Sequence, residues 1–331
     1  DPLNQAVMFA WGSGIVVVAA AGNGGPGPMT IGVPGNVPYV ITVGAVTDNY
    51  RPLQTDQYSL ASFSAAGPTY EGFVKPEVVA MGGHIRAYAP DDGVLAQQFP
   101  QWVDEQYRDF TMSGTSQAAA VTSGVVALIL EVNPHLTPDQ VKCRLMSTAR
   151  PAVKPDGTLA YSVFQQGAGL VNAQAAAYGT ATDCANQGLD VWLDLAGVEH
   201  YGGRANQDEN GNFYIMAVDN GGGLGSLPLL GGVIRGVSGL IGGLGQTLQD
   251  VPLLGGLLVG VATLLDGETW DGSPPSQTDY TWSGGYTWSN GYAWSNAYTW
   301  RDLYTWDSGY TWSNHTAVSA GHSGVEAVQQ E

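Results

Sequence analysis

The chain has 331 residues, 47 of them glycine, with only 12% charged side chains and a net charge of −18 from 29 acids against 11 bases. An acid excess of that size excludes a protein built to hold nucleic acid or an anionic membrane surface, since both reward clustered Lys and Arg. The two cysteines, Cys143 and Cys184, exclude a disulfide-dense scaffold and a zinc site of paired Cys ligands.

Asp1-Pro2 followed by Leu3, Ala6, Val7 and Ala10 predicts a helix already under way, ending near residues 12–14. Ile15 to Ala21 then runs apolar without alternation, as a strand buried on both faces does. A Gly/Pro-rich loop spans Gly22 to Pro38, and a second strand is predicted from Tyr39 to Val46. Shorter strands are predicted at residues 61–64, 78–81 and 109–112. Ser116 to Val132 reads as a long, apolar helix that a core would bury. Thr137-Pro138-Asp139-Gln140 is a helix start, with Thr as the cap, Pro at the first helical position and Gln three after the cap; that helix runs to about Ala149. Cys143 and Cys184 either bridge, closing a loop worth roughly 4 kcal/mol in the loop-entropy account, or remain as partly buried thiols.

Strands and helices over residues 1–178 predict an α/β unit. Residues 179–220 read as a polar, irregular extension, with Glu209-Asn210-Gly211 marking a hairpin turn. Within 221–268, Leu227-Pro228-Leu229-Leu230-Gly231-Gly232 recurs as Val251-Pro252-Leu253-Leu254-Gly255-Gly256 at an offset of 24, and each copy carries a Gly-x-x-x-Gly. That predicts a small helical hairpin. Membrane contact through 221–266 is the weaker reading, because the uncharged run Val251–Leu265 has 15 residues, short of the roughly 20 that a span needs; disorder is the third. Residues 269–279 form a Ser/Pro/Gly linker. Six hexads then follow over 280–314, starting at Tyr280, Tyr286, Tyr292, Tyr298, Tyr304 and Tyr310, each Tyr-(Thr or Ala)-Trp plus three further residues, the sixth completed by His315, the first residue of the tail 315–331. Tyr and Trp two apart share one face of a strand, so the hexads form a β arrangement packed within the chain, a low-complexity tail, or a ligand-binding aromatic face.

Ser113-Gly114-Thr115-Ser116-Gln117-Ala118-Ala119-Ala120 carries the sharpest chemical signal. A Gly-containing turn delivers Ser116 to the first turn of a long helix, where backbone N–H groups are unpaired and the positive helix end favours an oxyanion. A nucleophilic serine there brings half of its own oxyanion hole; the plain alternative is a serine N-cap. Upstream, Ala20-Ala21-Gly22-Asn23-Gly24 ends the first strand at the carboxyl edge, where α/β sheets keep their sites. An Asn there can supply the second oxyanion donor; the plain alternative is a turn Asn in left-handed backbone.

Together, Ala-Ala-Gly-Asn after an apolar strand and Gly-Thr-Ser-x-Ala opening a helix resemble the subtilase (subtilisin-like serine peptidase, peptidase S8) family. Val33-Pro34-Gly35-Asn36-Val37-Pro38 with Val40 to Ala45, Phe63-Ser64 with Gly67-Pro68, Lys75-Pro76-Glu77-Val78-Val79-Ala80, and Leu136-Thr137-Pro138 match in order and spacing. Two positions depart: Gln117 stands where the family usually has Met, and Ala120 where it usually has Pro. The resemblance covers about residues 1–178, the C-terminal portion of a catalytic domain, and implies a partial parallel sheet flanked by helices. It implies Ser116 as nucleophile and Asn23 as oxyanion donor, with Ala20, Ala21, Gly22, Gly32, Gly114 and Thr115 binding substrate. It further implies a secreted or cell-surface endopeptidase that cleaves polypeptides through an acyl-enzyme, with structural calcium as the cofactor it leaves open. Structural calcium is a property of many such enzymes, but no acidic cluster in this chain offers a metal site.

In that family an Asp and a His precede the Ser, and nothing upstream of Ser116 fits either. His84 lies in a Gly-Gly-His-Ile strand context, and His135 falls between helices. Asp307-Ser308-Gly309 and His322-Ser323-Gly324 mimic the two motifs but follow Ser116. The expectation is a chain lacking the Asp- and His-bearing N-terminal part of its domain, needing that part as partner and hydrolysing almost nothing alone. The rival is a non-catalytic secreted surface or adhesion protein, in which a decayed peptidase scaffold carries the aromatic repeats.

Overall fold

The first helix, read from the sequence as already under way, is capped by Asp1: its carboxylate accepts from the N–H groups of Leu3 and Asn4, and Pro2 occupies the first turn of α1 (Pro2–Gly12). The computed structural model describes residues 1–51, 54, 58–104, 106, 108–155, 158–208, 210–215, 269–273, 280–282 and 298–300. The helical hairpin expected within 221–268 and hexads two, three, five and six lie outside them. The architecture is mixed α/β, in two units: one drawn from Asp1–Thr69, Val74–Ala185 and Pro274–Tyr286, the other from Tyr70–Phe73, Asn186–Ser273 and Thr287–Glu331.

In the first unit, β1 (Val18–Ala20) and β2 (Ile41–Thr47) pair in parallel, with Val18 opposite Ile41. The last two residues of β2 also pair antiparallel with β3 (Ser59–Leu60), and β4 (Val78–Met81) lies parallel on the other side of β2, with Val43 opposite Val78. The first six residues of β2 are buried, as befits the central strand. β1 is shorter than the apolar run 15–21 predicts, because its pairing with β2 extends only over Val18–Ala20, and Ile15 is exposed. The strand predicted at 61–64 is displaced: the Ser64 N–H closes a turn onto the Ala61 carbonyl, and pairing is confined to β3.

β5 (Ile85–Tyr88), α2 (Val94–Gln98), β6 (Val103–Asp104) and β7 (Asp109–Met112) follow; β5, β7 and β6 form an antiparallel sheet in which Arg86 bridges Asp104 and Asp109. α3 (Thr115–Val132) packs across β1, β2 and β4. α4 (Pro138–Thr148) opens with the predicted capping box between Thr137 and Gln140. It is followed by β8 (Ala152–Val153), α5 (Val163–Gln166) and α6 (Ala173–Tyr178). Cys143 on α4 is disulfide-bonded to Cys184, their Cα atoms 5.1 Å apart. That crosslink ties the chain beyond α6 to the first unit, which runs to Ala185 rather than stopping at 178.

The second unit contains α7 (Val191–Leu195), β9 (His200–Gly202) and a hairpin of β10 (Ala205–Gln207) with β11 (Phe213–Ile215). The described part of 179–220 is therefore not irregular. Its turn is organised by Asp208, whose carboxylate accepts from the N–H groups of Asn210 and Asn212. Nor is 269–273 a bare linker: Trp270 exchanges both backbone hydrogen bonds with Phe213. Among the described residues, two hexads supply strands. β12 (Thr281–Trp282) pairs antiparallel with β8 in the first unit, and β13 (Tyr298–Trp300) pairs antiparallel with β9 in the second.

Candidate active site

β1 and β4 both aim their carboxyl ends at the turn that precedes α3. After β4 the chain passes Gly82, whose carbonyl accepts from the Gly114 N–H at 2.8 Å. A Cβ on Gly82 would stand 2.7 Å from the Gly114 carbonyl and 2.8 Å from the Ala45 Cβ, so only glycine lets the turn come this close. After β1 comes buried Ala21, then Gly22 at φ +112°, a conformation that turns the chain out of the sheet and presents Asn23.

Asn23 and Thr115 meet here. Asn23 Oδ1 accepts from the Thr115 backbone N–H at 2.9 Å and from Thr115 Oγ1 at 3.0 Å, while Thr115 Oγ1 accepts from the Gly22 N–H at 3.1 Å. With its carbonyl committed twice to donors, the Asn23 amide has one orientation, and Nδ2 remains as the outward donor. Thr115 is wholly buried; Asn23 and Ser116 are exposed.

Ser116 is the second residue of α3, whose N-cap is Gly114, without a side-chain capping bond. The serine thus does not cap the helix, and the plain alternative to a chemical role loses its geometry. Its backbone N–H belongs to the first turn, where no intrahelical acceptor exists, and the positive helix end lies at the same point. Gln117, at the family's usual Met position, sends Nε2 to the Met112 Sδ at 3.8 Å, and its Oε1 lies 2.8 Å from where a Gly114 Cβ would sit.

The other residues expected to bind substrate gather around Gly22. Ala20 ends β1, and the Ala21 carbonyl accepts from the Gly32 N–H at 2.9 Å. A Gly22 Cβ would touch the Ala65 Cβ, the Thr30 carbonyl and the Gly32 nitrogen at 3.5–3.6 Å. Ala21, Gly22, Asn23, Gly32, Gly114 and Thr115 form one connected set, walled by small side chains and backbone. Thr30 and Ala65 belong to that wall and escape the sequence reading, since neither lies in a recognisable motif.

The histidines fall elsewhere. The His84 N–H donates to Ser113 Oγ at 2.9 Å, its ring stacks on Tyr50 at 3.8 Å, and its Nδ1 is buried without a hydrogen-bond partner, so no carboxylate orients it through that atom. His135 lies between α3 and α4. His200 belongs to the second unit, where a hydrogen bond to Asp194 raises its pKa. Asp307, His315 and His322 lie outside the described residues. Among the described residues no three His, Cys, Asp or Glu side chains gather as a metal site.

Comparison with known proteins gives a consistent picture. The family model described as "Subtilase family" (peptidase S8) matches residues 1–186. The chain is 45% identical over 175 residues to the serine protease AprX of Bacillus subtilis (strain 168), covering 53% of this chain and 38% of that protein. It is 37% identical over 177 residues to subtilisin DY of Bacillus licheniformis, covering 53% and 51%. Among solved structures, fervidolysin from Fervidobacterium pennivorans, a keratinolytic enzyme related to subtilisin, aligns at 26% identity and a TM-score of 0.42 over 55% of this chain and 25% of that one. The chain therefore spans about half the length, or less, of the curated relatives it matches.

Proposed function

Because the chain belongs to the subtilase family, we propose that residues 1–186 form the nucleophile-bearing part of a secreted serine endopeptidase's catalytic domain, cleaving peptide bonds through an acyl-enzyme on Ser116. The observation that carries this reading is the pair of bonds from Thr115 to Asn23 Oδ1, which leaves Nδ2 as an oriented donor beside an exposed serine at a helix start.

Ser116 Oγ attacks the substrate carbonyl carbon. The carbonyl oxygen becomes an oxyanion and accepts hydrogen bonds from the Ser116 N–H and Asn23 Nδ2, groups already in place before reaction. The C–N bond then breaks, the amine leaves with a proton, and water hydrolyses the ester. Ala20, Ala21, Gly22 and Gly32, with Gly114 and Thr115, bound the pocket for the residue preceding the cleaved bond. Removing the Ser116 proton requires a histidine base oriented by a carboxylate. We assign both to the portion of the domain that the curated relatives possess and this chain does not span. The residues matched here supply nucleophile and oxyanion hole, and alone they hydrolyse almost nothing.

The test is labelling of the full-length protein with a fluorophosphonate probe, followed by peptide mapping. The adduct is expected on Ser116 and is expected to vanish in Ser116→Ala. A folded full-length protein that takes up no probe at Ser116 overturns the assignment.

A further inference from the structure

The first hexad is a plug in the first unit. Trp282 is only 8% exposed and lies in a cluster with Val46, Val79, Ala152, Ala160 and Leu170. Its indole stacks on Tyr161, centroids 6.1 Å apart, and its N–H donates to the Tyr58 carbonyl at 3.1 Å. Tyr280 meets Tyr161 edge-on at 5.2 Å; their hydroxyls are 2.5 Å apart, and the Tyr280 hydroxyl also donates to the Tyr58 carbonyl at 3.3 Å. The backbone between them runs antiparallel to β8, with Thr281 opposite Val153 and Trp282 opposite Ala152. Thr281, between the two aromatics, is exposed. Strand addition supplies sequence-independent backbone bonds, and the alternate side chains read out the sequence.

The six hexads repeat the two side chains that this groove contacts. Tyr at the first position and Trp at the third occur in all six, while the exposed second position is Thr in five and Ala293 in one. The trailing three residues read Ser-Gly-Gly, Ser-Asn-Gly, Ser-Asn-Ala, Arg-Asp-Leu, Asp-Ser-Gly and Ser-Asn-His. An even period keeps Tyr and Trp in phase on one strand face. Strand addition by this sequence also recurs: the fourth hexad, Tyr298–Trp300, pairs antiparallel with β9, with Trp300 opposite His200 and Tyr298 opposite Gly202.

We propose that the groove along β8, bounded by Tyr58, Ala152, Ala160 and Tyr161, is a receptor for a Tyr-x-Trp strand, and that the hexads are interchangeable occupants of it. Tyr280–Trp282 fills it, and the next hexad along the chain takes its place when the first is lost, held close by the tether. The inference does not rest on the peptidase reading.

Two variants of the full-length protein test it: Tyr280→Ser/Trp282→Ser, which removes one plug, and a variant in which the Tyr and Trp of all six hexads become Ser. The first is expected to melt within about 2 °C of the parent and the second about 5–10 °C lower, as befits an emptied aromatic pocket. The second is expected to bind a labelled Tyr-Thr-Trp-Ser-Asn-Gly peptide saturably and to ignore the Ala-Thr-Ala analogue. If the second variant fails to fold while the first folds, the remaining hexads have sufficed and the proposal stands. It is overturned if both variants lose stability equally, or if the six-hexad variant folds and binds no peptide.

Discussion

At the residue scale Thr115 holds the junction of strand end and helix start together. Three hydrogen bonds run through it, two ending on Asn23 Oδ1 and one arriving from the Gly22 N–H. Its methyl and hydroxyl lie wholly buried, so no water replaces a lost partner. In Thr115→Val the shape is kept and the hydroxyl is lost. The Gly22 N–H is then orphaned, and the Asn23 amide, held by one bond instead of two, is freer to rotate. We predict that Thr115→Val slows fluorophosphonate acylation of Ser116 about five- to tenfold, the worth of one hydrogen bond of about 1 kcal/mol. Thr115→Ser should recover most of the rate. Asn23→Ala should lower turnover by about 10²–10³-fold, the magnitude known for one oxyanion donor in subtilisin, a member of this family. Equal rates for Thr115→Val and the parent in an acylation time course would show that Thr115 does not position Asn23.

At the element scale, β2, β4 and α4 are joined by a buried charge cluster. Glu77 Oε1 accepts from Lys75 Nζ at 2.6 Å and Lys142 Nζ at 2.8 Å, while Oε2 accepts from the Thr42 N–H at 2.7 Å. The two ammoniums also donate to the carbonyls of Pro38, Tyr39 and Val40, which pins the loop leading into β2. One carboxylate cannot balance two buried ammoniums, and burial, opposed by Glu77 and reinforced by Lys142, lowers the Lys75 pKa from 10.5 to about 7. Unfolded Lys75 holds its proton up to about pH 10, whereas folded Lys75 releases it near 7. Between those values the unfolded state binds more protons, so stability rises with pH, by up to about 1.4 kcal/mol per pH unit. Below the folded pKa both states are protonated and this group adds no further slope. The melting temperature should therefore climb from pH 7 to 9, and Lys75→Met, which leaves Glu77 paired with Lys142, should flatten the climb. An unchanged slope in that variant would assign the dependence to another group. The same cluster shows what the sequence conceals. Lys75-Pro76-Glu77 is recognisable as a motif, but lysines are ordinarily exposed, and Lys142 reaches Glu77 only because α4 folds back onto the sheet. Local signals fared better: the Thr137–Gln140 capping box forms as its spacing predicts, because everything it needs lies within four residues. The Asn23–Thr115 junction falls between these cases. Each half is legible where it stands, at a strand end and a helix start, while the bond that joins them depends on the packing of β1 against α3.

At the scale of the whole molecule, the first unit exposes a long apolar helix on one side. α3 is 18 residues long with a mean hydropathy of 1.4, yet only a third of it is buried. One face lies on β1, β2 and β4; Val121, Leu128 and Val132 stand exposed, as do Leu3 and Phe9 of α1 and Ile15 ahead of β1. Among the described residues, β1 pairs with β2 alone. On the function proposed above, this apolar surface is what the Asp- and His-bearing part of the domain would cover. α3 carries Ser116 in its first turn, so on the same proposal the cover of this helix also brings the base to the serine, and folding and activity should be regained together. The prediction concerns the 331-residue chain with and without the Asp- and His-bearing part that the proposed function requires, co-expressed or refolded with it. Alone, the chain should bind an apolar dye such as ANS. With the added portion, dye emission should fall several-fold, amides of β1 should exchange at least about tenfold more slowly as a second neighbour pairs with that edge, and Ser116 labelling should rise in proportion. Labelling that returns while dye binding and β1 exchange stay unchanged would separate the base from the cover and refute the coupling.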